Sequence, residues 1–226
     1  MAKRTYFTPA LFSFLKDLKA NNDRDWFNTH KDRYEDHVRR PAMEFIQDFA
    51  PRLAQISKQF VADPKKSMFR IYRDTRFSAD KSPYKTHVGI QFRHVAGKDA
   101  HAPGFYLHLE PKSVFVGLGT WRPESRVARQ IRDAIVEDPA GWKRVTQGKK
   151  FKAIFALEGE SLKRPPRGYD PNHKFVTDLM RKDFVASAPL SQTATTSPDL
   201  IQLLANDFKA GAPFVKFLCQ AVGVAF

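Results

Sequence analysis

"FYLHLEPKSVFVGLG", residues 105–119, decides the fold. Phe105, Leu107 and Leu109 alternate with Tyr106, His108 and Glu110. After the tight link "EPKS" the alternation resumes, with Val114, Val116 and Leu118 against Phe115, Gly117 and Gly119. A period of two marks a half-buried strand, and so short a link makes the pair antiparallel. Upstream, "THVGIQFR" (86–93) sets Val88, Ile90 and Phe92 against His87, Gly89, Gln91 and Arg93. "MFRIYRD" (68–74) sets Phe69 and Ile71 against Arg70, Tyr72 and Asp74. Four such runs in succession predict an antiparallel meander.

Helical periods flank this block. Thr8 and Pro9 are good starting residues for a helix over 8–20, where Leu11, Phe14, Leu15 and Leu18 share a face. A second helix is expected over 25–38 and a third from Pro41, which Pro51 should kink or break. After the strands, Pro123 opens a helix to about Glu137, and "PAGWKRVTQ" reads as a short helix. "HKFVTDLMRK" is helical and "DFVASAPL" strand-like. Ser197 caps a helix, and another is expected from Pro213. No repeat or low-complexity linker interrupts the chain. The expectation is a single α+β domain spanning 1–226: a central antiparallel sheet of four or more strands, packed on one face by N- and C-terminal helices.

The composition suits a packed core. It is 42% hydrophobic, with twenty phenylalanines among 226 residues, which excludes a disordered chain. No apolar run is long enough to span a bilayer, so no membrane partner is expected. Lys16 and Asp17 interrupt the N-terminal apolar residues, so no signal peptide is expected. The single cysteine, Cys219, has no partner for an internal disulfide; a reducing, cytoplasmic location follows. It lies in "APFVKFLCQAV", a core-like run, and reads as an inert thiol.

The net charge of +14 is unevenly spread. Residues 65–98 carry nine Lys/Arg against two Asp, and residues 141–182 carry eleven against four Asp/Glu. Each segment is therefore +7, and the rest balances at 18 against 18. Such excess attracts phosphate-bearing partners, either a small anion or nucleic acid.

The non-core face of the predicted sheet is unusual. It holds Arg70, Tyr72, His87, Gln91, Tyr106, His108 and Glu110 beside Gly89, Gly117 and Gly119. Glycines within strands leave room for close approach, so this face reads as the floor of a pocket or as a covered layer. The connection "RDTRFSADKSPYK" (73–85) is longer than a hairpin needs. Its Arg73, Arg76, Lys81 and Lys85 are expected to converge on an anion. The competing account is local pairing of Asp74 with Arg76 and of Asp80 with a nearby base. "GLGTWRPE" is expected to bring Arg122 and a helix start to the same end of the sheet, a second anion-favouring feature.

His108 and Glu110 lie two apart on one strand face. They are candidates for base and orienter, or with His87 for metal ligands, against the alternative of structural histidines. No metal is assigned from the sequence, and no cofactor is indicated. HExxH, CxxC, phosphate-loop and GxSxG patterns are absent.

"FLKDLKANNDRDWFNTHKDRYE", "FRIYRDTRFSADKSPYKTHVG", "PGFYLHLEP", "GLGTWRP" and "LKRPPRGYDPNHKF" together resemble the bacterial and fungal proteins grouped as domain of unknown function 2461. The resemblance runs from about Tyr6 to the last helix. It implies a single cytoplasmic domain and carries over no catalytic residue. The function expected from the residues is binding of a phosphate-bearing small ligand on the polar sheet face. Arg73, Arg76, Lys81, Lys85 and Arg122 would neutralise it, and Tyr72, His87, Tyr106 and His108 would orient it. The alternatives are an enzyme using His108 and Glu110 there, and a nucleic-acid surface built from both basic segments.

Overall fold

The computed structural model describes residues 3–97 and 103–226. Its centre is a six-stranded antiparallel sheet in the order β1-β2-β3-β4-β6-β5. The strands are β1 (Phe60–Val61), β2 (Val88–His94), β3 (Gly104–Glu110), β4 (Ser113–Thr120), β5 (Ala156–Glu158) and β6 (Phe184–Pro189). β2 to β4 form three runs of the expected meander, and Pro111 and Lys112 make the turn between β3 and β4.

The alternating residues fall as their period requires. Val88, Ile90, Phe92, Phe105, Leu107, Leu109, Val114, Val116, Leu118, Phe184, Ala186 and Ala188 are all buried on one face. Helices Pro9–Ala20, Arg40–Ile56 and Leu200–Ala221 contribute to the same core cluster. At the join of the outer helices with the sheet, Phe208 meets Phe49, Phe92 and Phe105 with ring centroids 4.8–6.0 Å apart. Cys219 is fully buried within this layer, and burial pushes its thiol up to about 12. Among the described residues no helix is long and apolar enough to cross a membrane.

Three expectations need correction. The run 68–74 is not a full sheet strand: Met68 bridges Ile90, and Tyr72 then bridges Tyr84 instead of continuing along β2. The first strand is Phe60–Val61, paired with His94 and Arg93, and the turn Pro64–Ser67 separates it from Met68. The helix Arg40–Ile56 runs through Pro51, and the helix Leu200–Ala221 runs through Pro213. Both prolines are exposed, as are Gln47 and Lys209 four residues earlier, so water can serve the carbonyls left without an amide. The third concerns the helix expected over 25–38, which is instead Arg24–Thr29, Lys31–Tyr34 and a π turn over Glu35–Arg39. In that turn the Arg40 amide donates five residues back to Glu35, and the wider turn stands directly before Pro41.

Candidate site on the sheet face beside the Arg73–Lys85 hairpin

The β2–β3 register pairs Val88 with Leu109 and Gly89 with His108. Continued by one residue it sets His87 alongside Glu110, so residues 87, 108 and 110 share one face. There the His87 and His108 rings stack with centroids 4.6 Å apart, and Phe115 of β4 stacks on His108 from the other side, also at 4.6 Å. The Tyr106 hydroxyl lies 3.0 Å from His108 Nδ1, and Glu110 Oε2 lies 3.4 Å from His108 Nε2. A neutral imidazole protonated at Nε2 satisfies this chain: Tyr106 donates to Nδ1, and Nε2 donates to the carboxylate. The other carboxylate oxygen, Oε1, lies 3.6 Å from the ammonium of Lys19.

Burial disfavours charge on both rings. The His87 imidazole is pushed down to about 4 by burial and then by His108, and burial likewise lowers His108 against the upward pull of Glu110. Burial and Glu110 hold the Tyr106 phenol well above its usual range. One ligand atom from each of His87, His108 and Glu110 lies within 4.8 Å of the others. Two neutral imidazoles beside a carboxylate can shuttle a proton or bind a cation.

The loop after Tyr72 is the tip of a hairpin. Arg73 donates its amide to Pro83, and Lys85 donates its amide to Ile71. Most of the basic groups expected to converge are held by the loop itself. Arg76 makes a two-pronged pair with Asp74 at 3.0 and 2.7 Å. Arg73 pairs with Asp80, which also accepts from the amide and hydroxyl of Ser82. The Lys81 ammonium is 3.0 Å from the carbonyl of Thr75. Lys85 donates to the carbonyls of Arg70 and Tyr72 at 2.5 and 2.9 Å. Burial, Arg70 and Arg73 all lower the Lys85 ammonium below its usual range. Among the described residues neither Arg70 nor Lys85 has a carboxylate within ion-pair distance.

Arg122 is elsewhere. His108 pairs with Phe115, and β4 runs on five residues to Thr120 before reaching Arg122. At strand rise that is roughly 17 Å or more along the sheet, towards the opposite end. The antiparallel reversal between β3 and β4 is the reason. Arg122 there covers Trp121, while its amide donates to Asp183 at 2.7 Å. The helix expected to open at Pro123 begins at Ser125.

Residues 10–217 match the family model described as a conserved hypothetical protein, DUF2461. The chain belongs to that family. No curated protein and no solved structure shows a significant match to it.

Two of the segments that resemble DUF2461 meet beneath the site. Asn22 accepts from the Tyr84 amide and donates to the Tyr84 carbonyl, each at 3.0 Å. Phe27 stacks on the Tyr84 ring at 4.1 Å. This clamp fixes the base of the hairpin to the N-terminal helices, and the adjoining helix carries Lys19 to Glu110. Asn22 and Lys19 had no signal in the sequence as site residues, because their partners lie tens of residues away.

The polar face is partly covered. Phe69 lies over it against Tyr106, ring centroids 6.1 Å apart, with the Arg93 guanidinium over Phe69. A Cβ on Gly89 would come within 2.7 Å of the Tyr106 hydroxyl and 2.8 Å of Phe69. The space Gly89 leaves is therefore filled by the protein's own rings. Tyr72 is exposed, its ring tilted against Tyr84. The two basic segments lie towards opposite edges of the sheet: residues 65–97 include β2, next to edge strand β1, while residues 141–182 include edge strand β5.

Proposed function

We propose that the protein binds a small phosphate-bearing anion at the base of the Arg73–Lys85 hairpin, beside His87. One observation carries this reading. Arg70, Arg73 and Lys85 gather there, and the Lys85 ammonium is disfavoured by its burial and its cationic neighbours, with no carboxylate at ion-pair distance from Arg70 or Lys85 among the described residues. Within this trio Asp80 on Arg73 is the one carboxylate at ion-pair distance among the described residues; the excess positive charge costs free energy, and a bound anion reduces that cost. Arg76, whose guanidinium is matched by Asp74 at the exposed tip, Lys81, bonded to Thr75 within the loop, and Arg122, at the far end of the sheet, take no part; Arg73 and Lys85 would turn from their loop partners to the anion. Tyr72 and His87 would orient the ligand's uncharged portion; Tyr106, whose hydroxyl is bonded to His108 under Phe69, would act through His108.

The test is thermal unfolding in phosphate against chloride at matched ionic strength. A site-bound anion at a hundred times its Kd stabilises by about 2.7 kcal/mol. Phosphate should therefore raise Tm beyond chloride, and Arg70→Ala should abolish the increment. Arg70 is the better probe because none of its side-chain hydrogen bonds within the described residues would be lost. Equal shifts in the two salts, or an increment that survives in Arg70→Ala, would sink the reading.

A further inference from the structure

A half-buried histidine normally finds a partner for its ring nitrogens. Among the described residues His87 has none; its imidazole is held only by stacking on His108. It faces a second imidazole and a carboxylate, and one ligand atom from each of the three fits within 4.8 Å. The next layer is already in place. The Tyr106 hydroxyl lies 3.0 Å from His108 Nδ1, leaving Nε2 directed at Glu110. Glu110 uses Oε1 for Lys19, which leaves Oε2 for another bond.

We propose that His87, His108 and Glu110 bind one divalent first-row transition-metal ion, of the zinc or iron(II) class. Two imidazoles and one carboxylate are a donor set such ions accept, with remaining positions left to water or ligand. The separations are compatible with this. Bonds of about 2.0–2.1 Å at tetrahedral angles put neighbouring ligand atoms roughly 3.4 Å apart, and His108 Nε2 and Glu110 Oε2 are 3.4 Å apart. Metal binding would require the His87 ring to leave its stack on His108 and turn a nitrogen lone pair towards the ion, closing a separation of at most 4.8 Å. With the metal on Nε2, the His108 proton moves to Nδ1 and donates to Tyr106, so Tyr106 becomes the group that orients the ligand. The site is built from strand residues and from the residue preceding a strand, and Phe115 stacks on His108 from behind. The bonded placement of His108 and Glu110 separates the site from a chance cluster of surface side chains.

This inference goes beyond the anion reading and stands on a different observation. The experiment uses tag-free, chelator-stripped protein in phosphate-free buffer, so anion binding has no bearing on it. Zinc is titrated by calorimetry, and cobalt(II) is added in parallel to read coordination from its visible spectrum. The expected result is saturable binding of one equivalent, with cobalt bands typical of nitrogen and oxygen ligands at low coordination number. His87→Ala and Glu110→Gln should each abolish saturable binding. Tyr106→Phe should weaken it by roughly 10- to 100-fold, as loss of an orienting partner does. Glu110→Gln preserves side-chain volume, so loss of binding there is not unfolding. Absence of a saturable equivalent in the wild-type protein overturns the proposal, and so does zinc affinity unchanged in both His87→Ala and Glu110→Gln. Phosphate-dependent stabilisation of the metal-free protein is the separate measurement on which the anion reading stands or falls.

Discussion

The hydroxyl of Tyr106 and Nδ1 of His108 lie 3.0 Å apart, two residues along the same face of β3. The period of two puts both side chains on one face. Burial keeps the phenol protonated and the imidazole neutral, so the pair is a neutral hydrogen bond with Tyr106 the natural donor. Removing the hydroxyl in Tyr106→Phe should cost about 0.5–1.5 kcal/mol, the usual net value of such a bond. Urea unfolding with an unchanged m-value would show it. No loss of stability would mean that water replaces the hydroxyl and that His108 is not fixed by this bond.

Gly117 and Gly119 are neighbours on the same strand face with opposite demands. Gly119 has φ +102, and a Cβ there would sit 2.1 Å from the Phe184 carbonyl oxygen. A Cβ on Gly117 would meet nothing nearer than 3.5 Å. Gly119→Ala must strain or shift backbone and is expected to cost about 2–3 kcal/mol. Gly117→Ala is expected to be neutral or to stabilise by up to ~1 kcal/mol, since alanine loses less entropy in a strand. Paired denaturant titrations separate them, and equal costs would contradict the geometry at Gly119.

The strands and their buried face were legible because a period of two is a local signal. β1 was not, since two residues cannot display a period. The run 68–74 has the period but leaves β2 after Phe69, whose amide still donates to Gly89, because residues 71–73 pair with 83–85. Helix continuity through Pro51 and Pro213 was hidden for another reason: whether a proline breaks a helix depends on whether water reaches the abandoned carbonyl. At the site, His108 and Glu110 were legible from their spacing, and His87 from register. The position of Arg122 was not legible, because the end of the sheet a residue reaches depends on the number of strand reversals before it, a global property. The local pairing of Arg76 with Asp74 stood in the sequence as the competing account of the loop, and that pair is present.

The hairpin tip has its own acid response. Asp74 is held down to about 2 by its bonds to Arg76, and Asp80 is held lower than its usual range by Ser82 and Arg73. A depressed carboxyl contributes stability above its unfolded pKa of about 3.9, and that contribution is lost as pH falls through the folded value. The tip should therefore remain ordered at pH 4 and loosen towards pH 2. Carbon-13 titration of the aspartate carboxyls checks this, and Arg76→Ala should return Asp74 towards ~3.9 while leaving Asp80 low. Normal titration of Asp74 in the wild type would show that the pair does not persist in solution.

The same pair predicts what Arg76 does not do. Its guanidinium is committed to Asp74, and the neighbouring Phe77 is 96% exposed, so the tip projects into solvent. Arg76→Ala should leave the phosphate-dependent rise in Tm intact, whereas Arg70→Ala removes it. Loss of the phosphate response in Arg76→Ala would move the anion site from the base of the hairpin to its tip.

Trp142 and Asp178 supply the last case, in the second basic segment. The indole donates to Asp178 Oδ2 at 2.8 Å, and Arg181 donates to Oδ1 at 2.9 Å. Both Trp142 and Asp178 are buried, so the carboxylate depends on these two donors for the hydration it gave up. Trp142→Phe leaves one oxygen without its donor and opens a small void beside Phe214 and Phe217, which pack on the indole. An unmet buried acceptor costs about 1–3 kcal/mol, so a total of about 2–4 kcal/mol is expected once the void is included. The void and the lost bond separate in a double-mutant cycle. In an Asp178→Ala background the indole has no carboxylate to satisfy, and Trp142→Phe should then cost at least ~1 kcal/mol less. Additive costs would mean that the indole acts through packing alone, and the charge on Asp178 would then have to be balanced by Arg181.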